Sequence, residues 1–185
     1  MGRLLYSAIA SVDGYTVDAA GSFAWAAPDA EVHAFANALE RGVGTVLYGR
    51  RMYETMRVWQ DMPGAEDDPV TAEFAAAWRD SDKIVFSSSL AEVTTPRTRL
   101  ERTFDPDAVR TLVQDAEHDV SIGGPTLAAR AFAAGLVAEV WLMLVPVAVG
   151  GGTPALPLGQ RLGLELRDER RFGNGTVALH YAVQN

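Results

Sequence analysis

Apolar positions along the chain switch between two periods, and the switches delimit the predicted elements. Arg3–Ala10 is apolar on both faces, as a buried central strand is, and stops at the turn pair Asp13-Gly14. From Pro28 the period lengthens. Val32, Phe35, Ala36 and Leu39 fall on one helical face, with Pro28 suited to the first helical position and Gly42 to the stop. Thr45–Tyr48 predicts a second strand, which Gly49 interrupts before a helix over Arg50–Met56. Val70–Trp78 has helical spacing, and Lys83–Phe86 is a strand that runs into Ser87-Ser88-Ser89. Asp105-Pro106 opens another helix, with Val109, Leu112, Val113 and Ala116 inward, before the strand Asp119–Ile122. Gly123-Gly124-Pro125-Thr126 opens the next helix, which ends at Gly135.

This alternation predicts an α/β fold in three layers, with a central, mainly parallel sheet and helices on both faces. The last third reads differently. Val137–Val147, Leu164–Phe172 and Thr176–Val183 are strand-like, and Gly173-Asn174-Gly175 is a hairpin turn, so antiparallel C-terminal strands complete the sheet. The 185 residues contain no internal repeat and no low-complexity linker, which predicts a single domain over 1–185.

Charge narrows the partners. The formal net charge is −8, with Lys and Arg scattered, so the long-range field repels a phosphate backbone and no nucleic acid partner is expected. An anionic cofactor remains compatible, because backbone dipoles and one or two arginines make a local positive site. The chain has no cysteine, and His33, His118 and His180 lie outside any metal-ligand spacing, so no metal is expected. Met1–Ala10 lacks the pattern of a signal peptide, and the longest apolar run, Val140–Val149, is broken by Pro146 and too short to cross a bilayer. The expectation is a cytoplasmic protein with no membrane partner.

Candidate chemistry gathers at the C-terminal ends of predicted strands, where α/β sheets bind ligands. At Gly123-Gly124 the glycines either let a phosphate approach N–H groups at a helix start or simply make a tight turn. The junction lacks the G-x-G-x-x-G pattern and the following acid of a dinucleotide fingerprint. At Gly49-Arg50-Arg51, guanidinium groups at a helix start oppose the helix dipole, a placement that an anion such as a 2'-phosphate would relieve. Ser87 and Ser88 offer hydroxyls at a third junction.

Several segments carry a resemblance. Ser11-Val12-Asp13-Gly14, Val46–Glu54, Ile84–Ser88, Ile122–Leu127 and Gly150-Gly151-Gly152-Thr153-Pro154 occur in the order found in the dihydrofolate-reductase-like superfamily and span nearly the whole chain. The sequence is similar above all to stand-alone relatives of the RibD C-terminal domain, the reductase part of the bifunctional riboflavin-pathway deaminase-reductase. The resemblance implies NADPH as cofactor, bound by Ala8, Asp13, Gly49, Arg50, Arg51, Ser87, Ser88, Gly123, Gly124, Pro125, Thr126 and Leu127. It implies that the loop around Asp13–Trp25 covers the nicotinamide, and it implies a homodimer built across the C-terminal strands.

For the substrate, the resemblance points to an acid early in the first helix as proton donor, and Asp29 and Glu31 are the acids there. Trp25, His33 and Phe35 are the expected substrate contacts. Riboflavin-pathway reductases carry a lysine where Ser7 stands, arginines where Val32 and His33 stand, and a glutamate where Ile122 stands. The expected activity is hydride transfer from NADPH to a pyrimidine- or pterin-type heterocycle, the nearest named one being 5-amino-6-(5-phosphoribosylamino)uracil reductase. The alternatives are a dihydrofolate-reductase-type activity and a non-catalytic NADPH-binding module. A flavin or deazaflavin is disfavoured by Arg50 and Arg51.

Overall fold

The computed structural model describes residues 1–184. In chain order the elements are β1 (Leu4–Ser11), β2 (Tyr15–Asp18), α1 (Ala30–Glu40), β3 (Val43–Gly49), α2 (Arg50–Met56), α3 (Pro69–Asp80), β4 (Asp82–Phe86) and β5 (Thr98–Glu101). They continue with α4 (Pro106–Asp115), β6 (Asp119–Gly123), α5 (Pro125–Ala133), β7 (Val137–Val145), β8 (Gly152–Pro154), β9 (Gly163–Arg171) and β10 (Val177–Gln184). Eight strands form one sheet in the order β5-β4-β3-β6-β1-β7-β10-β9, and β2 pairs with β8 in a separate ribbon. From β5 to β7 every pairing is parallel; β10 runs antiparallel to both β7 and β9.

The period of two along the strands sends side chains into two cores, which is why helices cover both faces. On β1, Leu4, Tyr6 and Ala10 face α4 and α5, where the Tyr6 and Phe132 rings meet edge to face at 5.6 Å. The Tyr6 hydroxyl donates to the Ala155 carbonyl at 2.6 Å. Ile9, of opposite parity, packs beneath α1 with Val32, Met143, Phe172 and Ala178. Val46, Tyr48, Tyr53, Trp78 and Val85 form the third cluster, under α2 and α3. Lys83, also on this face and buried, donates from Nζ to the Trp78 and Ser81 carbonyls at 2.7 Å each and so closes the C-terminal end of α3. Burial pulls its pKa down to about 8.

Helix starts divide into two kinds. Asp29, Asp68 and Asp105 cap α1, α3 and α4, accepting from the backbone N–H groups of Val32, Thr71 and Asp107. The α2 and α5 helices instead begin after Gly49 and Gly124, with no side-chain cap. The α1 start therefore lies at Ala30, past Pro28, because Asp29 supplies the cap.

Three strands lie outside the predicted pattern. β2, β5 and β8 have at most four residues each and hold their place through pairing, β2 and β8 with each other across most of the chain and β5 with β4 just before it. β7 ends at Val145 rather than Val147. No helix among the described residues is long and apolar enough to cross a membrane.

Candidate active site

A cavity of about 1510 Å³ opens on the surface, larger than a single small ligand needs and of a size for a dinucleotide and a second molecule together. It opens at the C-terminal ends of β3 and β6 and continues along the sheet face beneath α1 and α3.

The opening is built from two uncapped helix starts. Gly123 and Gly124 end β6 and turn into α5, whose first residues Pro125, Thr126 and Leu127 also line the cavity. Gly124 has φ +92°, a region that disfavours any side chain. A Cβ at Gly123 would lie 2.7 Å from the Tyr48 ring, so only glycine brings the backbone so close. The N–H groups at the start of α5 thus meet the cavity without a competing side chain. Beside them, Gly49, Arg50 and Arg51 line the same opening. Both guanidinium groups are exposed and have no acidic partner among the described residues. A bare backbone cradle with two unpaired cations fits the phosphate groups of a nucleotide.

The β2–β8 ribbon forms the rim. Thr16, Val17, Asp18, Gly152 and Thr153 line the cavity, and a Cβ at Gly152 would fall 1.9 Å from the Val17 carbonyl oxygen, which explains the glycine there. Asp13 ties this rim together and is absent from the cavity wall. Its carboxylate accepts from the amides of Val149 at 3.1 Å and Gly150 at 2.7 Å, tying the turn after β1 to the glycine loop. Bonds from the Ser11 hydroxyl and those amides hold its pKa low. Ala8 lines the cavity as expected.

Both serines at the end of β4 lie off the cavity wall, which Phe86 forms instead. The Ser87 hydroxyl accepts from Leu90 N at 2.9 Å and Ser89 N at 3.3 Å, so it shapes the turn, and Ser88 is exposed.

Beneath α1 the expected acids are displaced. Asp29 is exposed and caps the helix, accepting from Val32 N at 2.9 Å. Glu31 points to the β9–β10 hairpin, where it accepts from Gly173 N at 3.1 Å and pairs with Arg170 at 3.4 Å. Neither lines the cavity. Phe35 is also turned away, edge-on to Trp141 at 5.4 Å and Phe172 at 5.2 Å, and Trp25 donates to Ser22 O at 3.1 Å outside the wall. Helical spacing explains this division: residues 31 and 35 lie on the stripe toward β9 and β10, whereas 33, 36 and 40 share the stripe toward the cavity.

His33 is the expected substrate contact that the cavity retains. Its ring lies 5.8 Å from Phe74 and 6.1 Å from Trp59, and burial pulls its pKa down against the opposing charge of Asp68. Beneath α1, away from Asp18 on the rim, the acid that reaches the cavity is Glu40, the last residue of α1. It accepts from the Ser121 hydroxyl at 3.4 Å and also meets Ser7. Protein crowds the carboxyl, and this desolvation raises its pKa, with the two hydroxyls opposing. An acid recurring with His33 and Ala36 at helical spacing was the available sequence signal.

Comparisons with known proteins agree on the architecture. The family described as the RibD C-terminal domain matches residues 3–178. Uncharacterized protein YyaP of Bacillus subtilis (strain 168) is 26% identical over 182 residues, covering 97% of this chain and 94% of the relative. A crystal structure from Shewanella sp. PV-4, described as a riboflavin biosynthesis protein, superposes with TM-score 0.76 at 19% identity, covering 99% of each chain. Dihydrofolate reductase from Enterococcus faecalis, complexed with NADP(H), superposes with TM-score 0.65 at 12% identity, covering 100% of this chain and 98% of that one. With a match over nearly its full length and the sheet order described above, this chain belongs to the RibD C-terminal domain family.

Proposed function

We propose that the protein is an NADPH-dependent reductase of a small heterocyclic or imino substrate. The observation that carries this reading is the convergence of Arg50, Arg51 and the Gly123-Gly124 cradle on one opening of a cavity large enough for two ligands. NADPH, when bound, supplies a hydride to the carbon of a C=N or C=O bond, and a proton completes the reduction at nitrogen or oxygen. Gly123, Gly124 and the amides of Thr126 and Leu127 receive the pyrophosphate, and Arg50 and Arg51 bind the 2'-phosphate. Ala8 leaves room on β1 for a flat ring. The β2–β8 ribbon, clamped through Asp13, keeps water from the reacting end. Membership in the family makes riboflavin-pathway uracil reductase the nearest named activity, and dihydrofolate is the natural second substrate to assay.

Fluorescence titration tests the reading. NADPH is expected to bind more tightly than NADH, and Arg50→Ala/Arg51→Ala is expected to weaken NADPH by roughly tenfold or more while changing NADH little. Equal weakening of both cofactors would remove the 2'-phosphate assignment, and no binding of either would remove the reductase.

A further inference from the structure

The part of the cavity under α1 constrains what reacts there, and this inference rests on the reductase reading for the reaction itself. The cavity extends along the whole of α1, about 16 Å for its eleven residues, from Pro28 at one end to Glu40 at the other. Its walls there are Trp59, Phe74 and Trp78 on one side and Ile9 and Ala36 on the other, flat or apolar surfaces suited to a planar ring.

The charges are unevenly distributed. Arg50, Arg51 and Arg130 are the cationic side chains lining the cavity, all at strand ends or on α5. Arg130 is already engaged, lying 5.3 Å from the Phe104 ring centre. Beneath α1 the ionisable wall groups are His33, Tyr48 and Glu40. Burial favours the neutral form of each. Ser7 from β1 and Ser121 from β6 face the Glu40 carboxyl with hydroxyls; Tyr48 from β3 is the titratable group that senses it, and α3 contributes Trp78 and Ser81 to the same wall. A phosphate or carboxylate entering this end would lose its hydration, and no lysine or arginine among the described residues lines it to compensate.

We infer that the region beneath α1 takes a flat, uncharged, phosphate-free carbonyl or imine compound, whose acceptor atom receives a hydrogen bond from the Glu40 carboxyl. Glu40 is thus the specificity residue of the substrate end. Arg50 and Arg51 favour charge at the cofactor end, and the desolvating walls around Glu40, which carry no lysine or arginine among the described residues, disfavour it at the other.

The probe is quinazolin-4-one, a neutral planar ring with a carbonyl acceptor, titrated calorimetrically into cofactor-free protein. Its 6-carboxylate is then used to displace it, so that both compounds report on one site. The neutral probe is expected to bind, and the carboxylate to compete more weakly by roughly tenfold or more. Wild-type affinity should fall as pH rises through the titration of Glu40. Glu40→Gln should abolish that pH dependence, and Ser7→Ala, which removes a hydroxyl that favours the ionised form, should move the transition to higher pH. Equal competition by the carboxylate, an unchanged pH profile in Glu40→Gln, or no binding of the neutral probe at millimolar concentration would each overturn the inference. Circular dichroism of both variants confirms that they are folded. Because NADPH is absent, failure here leaves the cofactor titration standing, and failure of that titration leaves this result standing.

Discussion

Gly123→Ala isolates the steric demand of the β6–α5 junction, because Gly123, unlike Gly124, has no left-handed φ that would add backbone strain. The new methyl would lie 2.7 Å and 2.8 Å from two ring carbons of Tyr48, roughly 1 Å closer than favourable carbon–carbon contact. Tyr48 has little room to retreat. It is 4% exposed, packed with Val46, Tyr53, Trp78 and Val85, and its hydroxyl accepts from Trp78 Nε1 at 3.2 Å. Forcing a methyl into such a core costs about 1–3 kcal/mol. For a chain of this size each kcal/mol lowers Tm by roughly 2–4 °C. The assay is urea unfolding of Gly123→Ala, Tyr48→Leu and the double variant. Leucine opens space where the methyl would sit, so the double variant is expected to be less destabilised than the sum of the singles by at least about 0.5 kcal/mol. NADPH affinity should not recover with stability, because the methyl would still stand in the proposed phosphate cradle. Additive stabilities, or a neutral Gly123→Ala, would refute the steric argument; recovery of NADPH affinity in the double variant would refute the cradle.

Asp29→Ala should lose about 1 kcal/mol through the missing helix cap and leave turnover unchanged, and Glu31→Gln should also leave turnover unchanged; a large loss of turnover in either would return that acid to the chemistry. Glu40 has a folded pKa above its ordinary 4.5, so the stability it contributes is fully present below that pH and is lost as pH rises through the folded value. Glu40→Gln is therefore expected to raise Tm relative to wild type increasingly as pH rises above 4.5, levelling off once the folded carboxyl has ionised, and a difference independent of pH would show that the carboxyl titrates as in the unfolded chain.

The junctions were legible because their signals are local. Arg50–Met56 is helical as predicted, since a glycine that ends a strand and a helix that follows are both set by neighbouring residues. Gly123-Gly124 reads from sequence as either a phosphate cradle or a tight turn, and the crowding that demands glycine there comes from Tyr48, 75 positions away in sequence. Asp29 and Glu31 lie off the cavity wall, and the sequence could not show this for a physical reason. An acid in the first turn satisfies orphan N–H groups whether or not a ligand is near, so its position says nothing about catalysis. Glu40 was passed over although its spacing from His33 and Ala36 is regular, because only the packing shows which stripe of α1 faces the cavity and which faces Trp141 and Phe172. β2 and β8 were missed because a ribbon of such short strands has no periodicity to read; its visible trace was the run Gly150-Gly151-Gly152, all with positive φ, which lets the chain cross beside Val17.

The two ends of the cavity use different parts of the same sheet, and the difference follows from what each part has to offer. At the C-terminal edge, strands stop and helices begin, so unpaired N–H groups are present whatever the side chains, and two glycines and two arginines are all that the proposed anion site asks of the sequence. Under α1, the backbone is consumed in strand pairing and every property must come from side chains. There the chain supplies aromatic and aliphatic walls, two serine hydroxyls and one carboxyl raised in pKa by burial. The proposed reaction needs both environments in contact: charge to hold the nucleotide, and a dry region in which a hydride is transferred without competing water. Ser7 and Ala8 are adjacent on β1 but face opposite sides of the sheet, one meeting Glu40 and the other packing toward the α5 side, where β6 has ended and β1 runs on. The early end of β6 is thus what joins the two regions. A substitution extending that strand, by replacing Gly123-Gly124 with residues that continue its pairing to β1, would separate the cofactor end from the substrate end without touching a residue of either wall beneath α1.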